Sequence, residues 1–333
     1  MLNEIHYVPE GFLDAKAEEL LALLGKPTLI HLAGNKAKPL FISTLLHGNE
    51  TTGLSALQAL LKRYANKALP RALSIFIGNI EAGAQQQRRL KTQQDYNRSW
   101  PGTQLDDCLE TDLMQAVTHI MRKRKPFASI DVHNNTGHNP HYGCINILNP
   151  HGLQLAAMFS NIAVYFTTPK GVQSSAFSDF CPAVVLECGQ SGEQDGISHA
   201  SNYLESVLAL DSIPSGHPKN FNIYHTVARI IIPKQLSFST SEGKHIQLRS
   251  SLEQQNFTQL TPGTEFARIQ SDHIKPFIVS NESGENICDE FFEIIDKKVR
   301  LKRTVVLAMF TSNETAIRQD CLCYLMEHLR IQE

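Results

Sequence analysis

Hydrophobic and polar positions along the first two-thirds of the chain follow two alternating rhythms. Short runs with almost no polar position occur at 40–46 (LFISTLL), 73–79 (LSIFIGN), 127–132 (FASIDV), 162–166 (IAVYF) and 184–187 (VVLE). They are rich in β-branched residues and nearly continuous, which is how strands covered on both faces read. Between them apolar residues recur every three or four positions, as at Leu54, Leu57 and Leu61. This spacing predicts helices over 13–24, 51–64, 111–123, 152–160 and 196–208. Strand and helix in alternation predict an α/β fold, with a mostly parallel sheet flanked by helices.

The rhythm changes after Leu210. The stretch DSIPSGHPKN is rich in Pro, Gly and Ser, and the short segments TVARIII, QLSFST, HIQLR, FARIQ, PFIVS, FFEII and TVVLAMF follow it. Turn signals such as Thr261-Pro262-Gly263 and Glu282-Ser283-Gly284 separate them, predicting a smaller β-rich C-terminal domain. The expected domains are therefore residues 1–212 and 213–333. A closing helix is predicted as well, because Thr311 and Glu314 stand at capping-box spacing and Ile317, Cys321, Leu325 and Leu329 would share one face.

Composition narrows the function classes. A net charge of -2 removes the electrostatic case for nucleic acid or an acidic membrane surface and points to a small-molecule partner. Seven Cys, an odd number without a C-x-x-C pair, fit neither a disulfide framework nor a structural zinc site and suggest a reducing compartment. The N-terminus carries early acids and no basic stretch ahead of an apolar one, so it does not read as a signal peptide, and the expected location is cytoplasmic. Residues 132–169 contain no Asp, Glu, Lys or Arg, yet Asn, His, Pro and Gly interrupt them too often for a membrane span. Against a single Trp the chain has 14 His, the commonest metal ligand and acid/base residue, which raises the question of a site.

Three predicted strands end in residues suited to one. His47-Gly48-Asn49-Glu50 follows LFISTLL directly and is the sole H-x-x-E of the chain; this spacing lets an imidazole and a carboxylate converge from a single turn. His133 ends the next candidate strand, and Asp131, two residues earlier, shares its face and can orient it. Glu187 closes VVLE, where an unpaired carboxylate would cost several kcal/mol to bury, so a partner or a task is expected. Ligands in open α/β sheets bind beyond the carboxyl ends of strands. Two His and one Glu are the ligand set of hydrolytic zinc, and the remaining Glu is the natural general base. Arg88, Arg89 and the segment Asp95-Tyr96-Asn97-Arg98 suit a substrate carboxylate and the oxyanion of a tetrahedral intermediate. His138, His141 and Tyr142 are further residues for a pocket.

The order HGNE, an upstream Arg, D-x-N-R, D-x-H-N and E-x-G resembles the succinylglutamate desuccinylase and aspartoacylase branch of the zinc carboxypeptidases, over about residues 40–192. The β-rich segment after residue 215 resembles that branch's C-terminal domain in character. The resemblance implies a zinc-carboxypeptidase-like fold, with one zinc held by His47, Glu50 and His133. It implies Glu187 as general base and Asn97 with Arg98 as binders of the substrate carboxylate. The oxyanion arginine falls at Arg89, with Arg88 as the alternative because the interval to Asn97 is one residue longer than usual. Tyr96 and Val132 stand where Leu is usual, at positions whose side chains do no chemistry.

What the branch implies is hydrolysis of the amide of a small N-acyl amino acid, with the C-terminal domain narrowing the cleft against long peptides. Two other readings use the same residues. A metallocarboxypeptidase trimming peptides would also use Asn97 and Arg98, and a metal-bound sensor without turnover would have no use for Glu187. The cluster Met121-Arg-Lys-Arg-Lys125 reads as cations at the negative end of a helix, and Cys188 faces away from Glu187 along its strand.

Overall fold

The computed structural model describes residues 2–330. Contacts group residues 2–134 with 141–221, and residues 135–140 with 222–330, into two compact units. In the first unit the strands are β1 (Asn3–Ile5), β2 (Thr28–Leu32), β3 (Gly34–Thr44), β4 (Leu69–Ile77), β5 (Ala128–His133), β6 (Tyr142–Ile145), β7 (Ile162–Tyr165) and β8 (Ala183–Glu187). Its helices are α1 (Leu20–Leu24), α2 (Thr52–Arg63), α3 (Ile80–Gly83), α4 (Leu109–Arg124), α5 (Pro150–Phe159), α6 (Gln173–Ser178) and α7 (Gln194–Ala209).

The strands lie in the order β1-β2-β4-β3-β5-β8-β6-β7. Five of the pairings are parallel, and β2 with β4 and β6 with β8 are antiparallel. This is the expected mostly parallel sheet flanked by helices. All five apolar runs became strands, and β5 and β8 are buried along their whole length. The strands β2 and β6 and the helix α6 had no strong pattern in the sequence.

Local chemistry explains where the helices begin and end. Acidic Glu110 and Asp112 stand in the first turn of α4 and Arg122, Lys123 and Arg124 in its last, complementing the helix dipole as expected for that basic run. Asn149 caps α5 by accepting from the Gly152 amide, with Pro150 in the first turn. The helix expected over 13–24 shrinks to a 3-10 turn (Ala17–Glu19) and α1. The reason is a competing partner, since the buried Gln58 amide donates to the carbonyls of Phe12 and Ala15 that a helix would have used. Beneath β3 and β4 packs a core of Phe41, Phe76, Trp100, Met114 and Phe177, in which Trp100 meets Phe76 and Phe177 edge-on at 5.9 and 5.8 Å. The neighbouring Asn97-Arg98 turn thus sits on a rigid base.

The second unit holds β9 (Asn222–Ile231), β10 (Phe238–Ser239), β11 (Ile246–Leu248), β12 (Gln259–Leu260), β13 (Glu265–Ile269), β14 (Ile278–Ser280), β15 (Phe292–Ile295), β16 (Lys298–Leu301), β17 (Val305–Ala308) and β18 (Cys323–His328). It also holds the short helices α8 (Cys288–Phe291) and α9 (Glu314–Gln319). One sheet runs β9-β18-β17-β12, with β14 on β9, and another runs β10-β11-β13-β16-β15. The β-rich character is as expected; the closing helix is corrected. Helix α9 is six residues long, capped by Asn313 rather than Thr311, and CYLMEH forms β18 between β9 and β17. Cys321, Leu325 and Leu329 fit a helical face on paper, but pairing to two strand partners buries Cys323 and Leu325 completely and outweighs helical spacing. No helix among the described residues is long and apolar enough to cross a membrane.

Candidate metal centre and active site

Strands β3, β5 and β8 are neighbours, and the candidate residues leave them at the same end. Just beyond the end of β3, Leu45 takes a left-handed φ of 54° and turns the chain into His47-Gly48-Asn49-Glu50. Gly48 allows this turn to press on α3, where a Cβ would stand 2.2 Å from the Gly83 nitrogen. Its amide donates to the Arg88 carbonyl (3.1 Å). His133 ends β5 and pairs in register with Glu187 at the end of β8, which pairs on its other side with Tyr142. Residues paired in register point to the same face, so the three side chains form one row.

The turn and the row converge. His47, Glu50 and His133, all buried, each place one ligand atom within 4.8 Å of the others. His47 Nδ1 lies 2.7 Å from Glu50 Oε1 and His133 Nδ1 lies 2.7 Å from Glu50 Oε2. The opposite nitrogens face carboxylates, His47 Nε2 at 3.0 Å from Asp95 and His133 Nε2 at 2.8 Å from Asp131. Ser43 donates to the other oxygen of Asp131 (2.7 Å). With a divalent metal bound, the outer nitrogens would keep their protons on Asp95 and Asp131 and the inner nitrogens would turn their lone pairs to the ion. The donor set fits zinc, with room in its chemistry for water.

The buried groups of the cluster shift one another's charge. Burial works against ionised Glu50, but His47 and His133 hold its carboxyl below the ordinary range. Burial likewise opposes Asp95, which His47 and Arg88 hold well below the usual value. Burial pushes His133 down, yet Asp131 and Glu50 raise it well above an ordinary histidine. For Glu187 burial wins and lifts its carboxyl to about 8.

The arginines sort differently from the sequence expectation. Arg88, the alternative, reaches the cluster, with NH1 at 3.4 Å from Glu50 and NH2 donating to Asp95 at 3.1 Å. Arg89, the expected oxyanion arginine, donates instead to the Gln93 backbone carbonyl (2.8 Å). The Arg88 carbonyl accepts from the Gly48 amide (3.1 Å), which ties this part of the loop to the 47–50 turn. Asn97 is buried, with its Oδ1 accepting from the Gln173 amide (3.0 Å) and its Nδ2 3.2 Å from His133 Nε2. When that nitrogen carries the proton given to Asp131, it cannot also accept from Asn97, whose NH2 then remains a donor for another group. Arg98 donates to the Asn97 carbonyl (2.8 Å).

Two supporting residues had no role assigned by the sequence. Asp95 was visible as the first letter of D-x-N-R, but only the fold brings it to His47. Asn134, the last letter of D-x-H-N, ties the centre together: its amide donates to Glu50 (3.2 Å), its Nδ2 to the Gly189 carbonyl (3.0 Å), and its Oδ1 accepts from Thr52 at the start of α2 (3.2 Å). His141 stacks on His199 with centroids 5.0 Å apart, and His138 offers its carbonyl to Asn256 (3.0 Å). Cys188 is fully buried, with its thiol raised well above the usual value by burial.

The mostly parallel sheet thus carries a buried His-Glu-His cluster at its strand ends. The family model for the succinylglutamate desuccinylase/aspartoacylase catalytic domain matches residues 36–210, more than half of the chain, and the protein belongs to that family. Among solved structures it is similar to the succinylglutamate desuccinylase from Chromobacterium violaceum, with 15% identity, 90% of this chain and 87% of that one covered, and a TM-score of 0.60. It is similar to murine aminoacylase 3, with 14% identity, coverage of 90% and 98%, and a TM-score of 0.60. It also resembles the ectoine utilization protein EutE (DoeB) from Ruegeria pomeroyi, with 14% identity, coverage of 90% and 87%, and a TM-score of 0.53. No curated relative matches it in sequence.

Proposed function

We propose that this protein is a zinc-dependent amidohydrolase that cleaves the amide bond of a small, carboxylate-bearing N-acyl amino acid. The observation that carries the reading is the buried His47-Glu50-His133 cluster, with each outer imidazole nitrogen on a carboxylate, beside Glu187. His47, Glu50 and His133 hold the metal, and zinc, when bound, supplies a Lewis acid that eases the ionisation of water near neutral pH. Glu187 takes the proton of the attacking water and delivers it to the amide nitrogen as the C–N bond breaks. Arg88 balances the charge that gathers on the acyl oxygen, and Asn97 with Arg98 binds the substrate carboxylate. All these residues fall within 1–212, which we take as the catalytic part of the chain. Seven free thiols suit the reducing cytoplasm.

The test is metal analysis coupled to a substrate panel. One zinc per chain is expected, with turnover of N-acyl amino acids exceeding that of peptides. Glu187→Gln is expected to keep the metal and lose about 10²–10⁴-fold in kcat, whereas His47→Ala and His133→Ala lose the metal. Unchanged turnover in Glu187→Gln, or a preference for peptides beyond two residues, overturns the reading.

A further inference from the structure

Residues 84–94 connect α3 to the Asn97-Arg98 turn without any regular element, and Gln93 is the one buried residue among them. A loop of that kind has to be folded by its own side chains, and Gln93 uses nearly all of its hydrogen-bonding capacity to do so. Its Oε1 accepts from Asn79 Nδ2 (3.0 Å) and from the Leu90 amide (3.0 Å). Its Nε2 donates to Glu81 (2.8 Å). Its backbone amide donates to the Leu90 carbonyl (3.1 Å), and its own carbonyl accepts from Arg89 (2.8 Å). Asn79 is in turn fixed at the start of α3, with its Oδ1 accepting from Ala82 (3.0 Å).

The loop is therefore closed into a ring at Leu90 to Gln93 and bolted to α3 on one side. On the other, the Gly48 amide holds the Arg88 carbonyl. Between these two fixed points stand Arg88 and Arg89. The first is left directed at Glu50 and Asp95, and the second is drawn toward the Gln93 carbonyl.

We propose that Gln93 is a positioning residue that selects Arg88, rather than Arg89, as the arginine of the reaction centre. It makes no hydrogen bond to the cluster, and it acts by setting the register of the loop. The inference rests on the proposed role of Arg88, since a residue that aims an arginine matters only if that arginine works. A guanidinium displaced by about 1 Å costs on the order of 10²-fold in rate, so a lost anchor is expected to be read in kcat.

The experiment is a double-mutant cycle on the zinc-loaded enzyme, with Gln93→Ala, Arg88→Ala and the pair. Gln93→Ala is expected to lower kcat by about 10- to 100-fold, with KM within about threefold and zinc content unchanged. In the Arg88→Ala background the same substitution is expected to change kcat less than about twofold, because the group it aims is gone. Exchanging the partners, Gln93→Glu with Glu81→Gln, restores an amide-to-carboxylate bond and is expected to recover most of the lost kcat. A Gln93→Ala loss that persists in the Arg88→Ala background, or unchanged kcat in Gln93→Ala, overturns the positioning role. Full activity in Arg88→Ala alone overturns the proposed function of Arg88 instead, so the two failures are distinguishable. Gln93→Met, which keeps the side-chain length and removes the hydrogen bonds, decides the matter if the alanine variant does not fold, by the same comparison.

Discussion

Each imidazole of the cluster is held from both sides, by Glu50 on the inner nitrogen and by Asp95 or Asp131 on the outer one. The motif letters His47, Glu50, His133 and Glu187 were legible because strand-end positions for buried ionisable residues need a reason. The choice between Arg88 and Arg89 was not legible, since adjacent residues in a loop carry no periodicity that says which one faces inward. The prediction at this scale follows from that choice. Arg88→Ala is expected to lower kcat by about 10²–10³-fold, the usual cost of removing a donor to a developing oxyanion, while Arg89→Ala stays within about threefold of the parent, which steady-state kinetics on the two variants checks. The reverse ranking would return the role to Arg89.

Among the elements, the turn at 47–50 has the least freedom. Glycine at 48 is required because α3 backbone atoms fill the place of a side chain: a Cβ there would stand 2.2 Å from the Gly83 nitrogen and 2.3 Å from the Ala82 carbonyl carbon. Gly48→Ala is expected to destabilise the fold by about 1–3 kcal/mol through overpacking against rigid backbone. It also shifts His47 and Glu50, so a lower urea midpoint and a zinc content below one per chain are both expected. Long buried strands and amphipathic helices were readable because their periods are sustained. The apolar residues of the segment CYLMEH satisfy the helical and the extended period together, and the two strands that flank β18 decide between them. The 13–24 segment is decided in a related way, since the Gln58 amide that takes the Phe12 and Ala15 carbonyls lies far along the chain.

At the scale of the whole molecule, acid stability carries a signature outside the candidate site. His31 in β2 is 2% exposed, with Nδ1 2.8 Å from Ser74 Oγ and Nε2 3.1 Å from Glu4. Burial, aided by Arg124 and opposed by Glu4, lowers its pKa to about 4 from 6.5. The unfolded chain binds the extra proton first, so this contribution is full above about pH 6.5 and is lost as pH falls toward 4. Urea unfolding of the parent and of His31→Leu between pH 7 and 4 is expected to show a shallower acid loss in the variant, and parallel curves would refute the assignment. By itself the sequence determined the α/β alternation, the β-rich C-terminal half and the identity of the cluster residues, because periodicity and the cost of burying charge are local properties. Only the tertiary structure decided that Asp95 backs His47, that Asn134 joins Glu50 to the Gly189 turn, and that Arg88 faces the cluster. Those facts depend on which distant backbone atoms meet, and no spacing along the chain encodes such a meeting.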